Sequence, residues 1–202
     1  MSYQNKNKQT LTIQDLVTIG VFTAIFFIFE LIGAFPLMMN PATMFYMPFG
    51  IALLCGPIIL LLLAKVPKRG ALMIVGLVNG IIWFATGMHW GLYLGYIIMG
   101  FVADFIAGIK NYKSIQLNML AYMLLCLAPT GSFIVYFMNP VAWASTMLNN
   151  GTSQEMINAI NEAVSPVILP IILIGTLIIA FVSAMIGRKL LKKQFIKAGI
   201  IQ

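Results

Sequence analysis

The twelve lysines and arginines of this chain fall into four groups, set apart by pairs of long apolar runs. Lys6 and Lys8 come before the first run, and Lys65, Lys68 and Arg69 follow the second. Lys110 and Lys113 follow the fourth, and Arg188, Lys189, Lys192, Lys193 and Lys197 follow the sixth. The runs cover about 12–35, 42–64, 71–88, 91–109, 114–138 and 164–187. Each is near or above the roughly 20 residues that a helix needs to cross the hydrocarbon core. With six crossings, every cation lies on one side of the bilayer. Positive charge gathers on the cytoplasmic side, so both termini are expected in the cytoplasm. One crossing more or fewer inside the chain would scatter the cations over both faces.

Composition agrees with a lipid environment. The chain of 202 residues is 61% hydrophobic and 8% charged, whereas a soluble domain is about a quarter charged. A net charge of +7 would suggest a nucleic-acid partner in a soluble protein. Here the cations flank apolar runs and set topology instead, so no nucleic acid is expected. The first run is too long for a signal-peptide core and has no small-residue cleavage site after it, so it reads as a retained span. Cys55 and Cys126 lie inside apolar runs and form no CxxC pair, which suggests neither a disulfide nor a metal site.

The expected fold is an all-α membrane protein of six transmembrane helices. A cytoplasmic tail (1–11) leads into the helical domain (12–187), and a basic cytoplasmic tail (188–202) ends it. The third and fourth runs are divided only by His89 and Trp90, where Gly87 and Gly91 permit a tight turn. The first outer loop holds Pro36, Asn40 and Pro41. The long outer loop, 139–163, carries two short helices. Asn139-Pro140 caps the first, and Thr152 with Glu155 opens the second as a capping box. Trp143 is expected to anchor the first of these at the membrane interface. Pro129-Thr130-Gly131-Ser132 interrupts the fifth span, and Pro48 and Pro57 interrupt the second. Such breaks free backbone groups that need other partners. The basic tail continues the last span as an interfacial helix.

Several chemistries lack their signatures. There is no GxxxxGK[ST], HExxH or GxSxG, and a single histidine cannot build a metal cluster. The spans hold only two carboxylates, Glu30 and Asp104, toward opposite faces. Neither catalysis nor a cofactor or metal is expected.

Ionisable groups inside lipid are functional candidates. Glu30 either meets a ligand's cation or polar group, or reaches outer water or a neighbouring helix. Asp104 lies near Lys110 and Lys113, which offer an ion pair at the interface. Trp83, His89, Trp90, Tyr93 and Tyr96 cluster at the outer ends of spans three and four. They form either an aromatic belt or the walls of an outward-facing pocket. Asn79, Thr130 and Ser132 could add hydrogen bonds. The candidate ligand residues are thus Glu30, Asn79, His89, Trp90, Tyr93, Tyr96, Thr130 and Ser132. Small-xxx-small pairs at Gly20/Ala24, Gly76/Gly80 and Ala180/Ala184 mark close helix approaches.

Six spans, a short first outer loop and no engine of its own resemble the S components of energy-coupling-factor (ECF) transporters. The stretch from Thr12 to Ala24 and the segment Asn40 to Pro48 look like the Trep/Strep-type family of these proteins. The resemblance implies a substrate-binding subunit in the bacterial cell membrane. It would capture a vitamin-like micronutrient outside and deliver it with a T subunit and two ATPase subunits. It also implies that Gly20 and Ala24 form the flat surface meeting the T subunit, with Gly20 in place of the usual Ala. A stand-alone secondary transporter or channel, and a non-transport accessory protein, are the alternatives.

Overall fold

A computed structural model describes residues 10–197 and 199. Lys6 and Lys8, and with them most of the expected N-terminal tail, lie outside the described residues. The described chain is helical: α1 (Ile13–Met38), a 3-10 turn (Met44–Tyr46), α2 (Met47–Leu54), α3 (Gly56–Lys65), α4 (Ala71–Ala85) and α5 (Trp90–Gly108). It continues with α6 (Ile115–Leu125), α7 (Thr130–Met138), α8 (Pro140–Asn149), α9 (Gln154–Ala163), α10 (Ile168–Leu190) and α11 (Lys192–Lys197).

Among the described residues, α1, α5 and α10 are long and apolar enough to cross a membrane alone. Two bent pairs pass the same test together: the 3-10 turn and α2 with α3 at 45°, and α6 with α7 at 48°. α4 is apolar but has only 15 residues. It stops at Ala85 instead of Met88, where Gly87 turns the chain at φ 73°. Apolar side chains such as Ile13, Ile81, Phe84 and Phe105 cover the outside. A water-soluble protein would not tolerate so wide an apolar girdle, whereas lipid favours it. The chain is a helical membrane bundle.

Local chemistry explains the helix ends. Thr12 caps α1 by accepting from the Asp15 amide, and Asp15 closes the box on the Thr12 amide at 2.7 Å. α1 runs through Pro36 to Met38, past the loop expected there. So near the helix end the proline costs a single backbone bond. Asn139 caps α8, with Pro140 in the first turn, as the sequence indicates. α9 is capped by Ser153, not by Thr152 with Glu155; the Ser153 hydroxyl accepts from the Met156 amide. Pro48 sits harmlessly in the first turn of α2, and the break falls at Cys55, just before Gly56-Pro57.

That break is closed by protein. Pro57 cannot donate to the Leu53 carbonyl, which accepts the Ser183 hydroxyl of α10 at 2.7 Å instead. The same Ser183 oxygen accepts from the Gly56 amide, and the Tyr122 hydroxyl of α6 donates to the Ala52 carbonyl at 2.6 Å. Close backbone approaches tie the helices together. A Cβ built on Gly33 would lie 2.4 Å from the Gly50 carbonyl oxygen, so α1 and α2 touch main chain to main chain. Gly76 of α4 faces Gly100 of α5 in the same way.

The bundle has two distinct ends. At one, Lys68 bridges to Asp15 at 2.6 Å, and Asp104 of α5 accepts from the Gly70 and Leu72 amides at the start of α4. All described lysines and arginines lie toward this basic end. At the other, Phe45 packs on Phe133 and Tyr136 of α7, and Tyr136 meets Trp143 of α8 and Asn161 of α9.

Candidate functional site

Glu30 projects from α1 into the bundle and is 0% exposed. Neither carboxylate oxygen has a hydrogen-bond partner. The Trp83 indole of α4 faces it, but no hydrogen bond closes between them. Trp83 is held edge-on against Phe27 of α1, with ring centres 5.5 Å apart. Asn79 lies one turn before Trp83 on the same face of α4. Its amide nitrogen donates to the Val75 carbonyl at 2.9 Å, which leaves its buried Oδ1 without a donor.

Other open polar atoms share this depth. Glu30 lies eight residues from the end of α1, Asn79 six from the end of α4, Tyr96 six from the start of α5 and Thr176 eight from the start of α10. At 1.5 Å per residue these are roughly 9–12 Å below the helix ends nearest α8. The hydroxyls of Tyr96 and Thr176 are likewise buried and unpartnered. Trp83 belongs to the aromatic cluster read from the sequence but not to the candidate ligand residues, and Thr176 belongs to neither. The spacing of Asn79 and Trp83 was a usable signal for the former; nothing local singles out Thr176 in an apolar run.

The remaining candidates build a cover for this layer. His89 caps α5: its Nδ1 accepts from the Gly91 amide at 3.0 Å. That bond assigns the proton of the neutral ring to Nε2, which is buried and unpartnered. Burial holds His89 well below the usual histidine range, at about 4. Its ring stacks on Trp143 of α8, with centres 6.0 Å apart. The Trp143 indole donates to the Ser132 hydroxyl at 3.0 Å and meets Tyr136 edge-on. Trp143 is therefore a plug inside the bundle and not an interfacial anchor, because Ser132 satisfies its N–H there. The Tyr136 hydroxyl donates to Asn161 of α9 at 2.9 Å. Tyr136, Ser145, Gln154 and Asn161 line a cleft of about 540 Å³ between α7, α8 and α9.

Three candidates stand outside the polar layer. Trp90 is 42% exposed, and Tyr93 packs edge-on against Phe84. Thr130 is buried, but its hydroxyl is committed to the Leu127 carbonyl at 2.6 Å.

Asp104 has no lysine partner. Besides the two amides of α4, it accepts from the Tyr112 hydroxyl at 3.0 Å, so helix capping replaces the expected ion pair. Tyr112 is turned back by a left-handed backbone at φ 62°, and burial, with the Asp104 carboxylate beside it, pushes its phenol up.

On α1, a face turned away from Glu30 is open. Gly20 and Ala24 are exposed, and nothing lies within 4 Å of a Cβ built on Gly20. Beside them a groove of about 500 Å³ runs between α1 and the end of α3, lined by Asp15, Val17, Val21, Phe22 and Lys65.

The apolar girdle and the buried polar layer together define a multi-pass integral membrane protein. The chain belongs to the family described as "Hypothetical bacterial integral membrane protein (Trep_Strep)", whose model matches residues 13–197. No curated protein and no solved structure matches it.

Proposed function

We propose that the protein is the substrate-binding S component of an ECF-type importer in the bacterial cell membrane. In this reading the bundle crosses the bilayer six times, counting α4 and each bent pair as one span. The basic end lies in the cytoplasm. A small micronutrient enters from outside, past α8 and α9, and reaches the layer around Glu30. The chain binds and delivers; a T subunit and two ATPase subunits supply the energy.

The observation that carries the reading is the split character of α1. One face buries an unpartnered carboxylate, Glu30, while the other presents Gly20 and Ala24 with open space beside them. A ligand group suits the first face, and a closely packed membrane partner suits the second. Co-expression with T and ATPase subunits tests it. The tagged wild-type chain should retain both. Gly20→Leu and Ala24→Leu should lose most of the complex while the isolated protein keeps its thermal stability. Retention unchanged in both variants would defeat the assignment.

One feature favours a stand-alone secondary transporter. The second and fifth spans, α2–α3 and α6–α7, are both broken near their middles. Paired interruptions in corresponding positions of two halves mark ion and substrate sites in such proteins. Against this, Ser183 and Tyr122 already occupy backbone groups at the first break. Uptake into proteoliposomes by this chain alone would support the transporter instead.

A further inference from the structure

We infer that the buried, unpartnered polar cluster around Glu30 binds a small organic cation, a protonated amine carried on a flat apolar body. The inference rests on the capture site proposed above and names the chemistry of its ligand.

Glu30 is fully enclosed, and both of its oxygens lack donors. An isolated carboxylate in a low-dielectric interior is costly unless a positive charge accompanies it. Among the described residues none is supplied: every described lysine and arginine lies toward the basic end, and neutral His89 caps α5 near α8. A positive charge that is to accompany an ionised Glu30 has to come from a ligand.

The neighbouring atoms fit an ammonium group. Asn79 lies on the Trp83 face of α4, and its own N–H is spent on Val75, so the atom it offers is an acceptor. With the two Glu30 oxygens this makes three open acceptor atoms on facing helices. A primary ammonium has three N–H donors and no acceptor. The Trp83 ring stands beside the carboxylate and packs on Phe27, with centres 5.5 Å apart. Aromatic faces attract cations and give a planar body somewhere to pack. The Trp83 N–H beside the carboxylate is an open donor for one acceptor on that body. No described basic residue stands there to offset the charge of an anion.

The probes are phenethylamine, 2-phenylethanol and 3-phenylpropionate, which share a ring and spacer and differ in head group. Binding is read as a saturable rise in melting temperature of the full chain in detergent. Phenethylamine should stabilise the wild type at concentrations at least about tenfold below any effect of the alcohol or carboxylate. Glu30→Gln should abolish that preference. This variant changes only the head group, and the wild-type comparison stands even if it folds poorly. Equal shifts from amine and alcohol, a preference for the carboxylate, undiminished amine binding in Glu30→Gln, or no saturable amine effect would each overturn the assignment. Amine binding without retention of T and ATPase subunits would sink the importer reading alone. A stable complex that ignores amines would sink the cation alone.

Discussion

The two carboxylates set deepest in the described bundle, Asp104 and Glu30, sit near opposite ends and are treated in opposite ways. Asp104 accepts from two backbone amides and a tyrosine hydroxyl within 3.0 Å. Glu30 is equally hidden and accepts from nothing. The first fixes the start of α4 against α5 and is part of the scaffold. The second adds nothing to the scaffold, and its enclosure makes sense through something the bundle receives. Burial of an acid therefore does not reveal its task; the count of its partners does.

The sharpest way to break this contrast is to remove both acids in turn. Asp104→Ala leaves two amides and a phenol unsatisfied and should destabilise the bundle by at least about 3 kcal/mol, measured by denaturant unfolding in micelles. A smaller loss would mean that water reaches α4. Trp143→Ala removes the plug between His89, Ser132 and Tyr136 and should cost about 3 kcal/mol. Amide hydrogen exchange should then accelerate in α8 while Asp104 and its neighbours stay protected. Exchange rising equally at both ends would show that they are not separable.

Acid acts more gently, through His89. Its folded value, about 4, lies below the unfolded value near 6.5, so the unfolded chain binds the proton more readily. Stability from neutral His89 is complete above pH 6.5 and declines by about 1 kcal/mol per pH unit from there to pH 4. Near-ultraviolet dichroism should report loosening around Trp143 over that range, and His89→Gln should flatten the response. The smallest effect belongs to Glu30→Gln, which should leave unfolding within about 1 kcal/mol of wild type and on the stable side. A large loss there would put Glu30 in the scaffold with Asp104.

Much of the helical layout was legible because apolar length, proline and cap residues act locally. Asn139-Pro140 predicts its helix start without any help from the rest of the chain. The bend between α6 and α7 was equally visible in Pro129. Long-range partners were not legible. Trp143 reads as an interfacial residue until Ser132 and His89 are brought to it. Asp104 reads as a lysine partner until Gly70 and Leu72 arrive, more than thirty residues away in sequence. Glu30, Asn79 and Tyr96 are buried and keep open polar atoms, whereas Trp90 and Tyr93 are linked to these only by proximity in sequence. Helix periodicity turns them toward lipid and Phe84 instead.

The bare contact between Gly33 and Gly50 leaves no compressible side chain between α1 and α2. With backbone against backbone at that crossing, α1 and α2 are expected to move together when the open Gly20 surface is pushed. Just before α2 comes Phe45, wedged among Phe133, Tyr136 and Phe137 just beneath the Trp143 plug. A grip on α1 near the basic end would then be felt at the aromatic cover beyond Glu30.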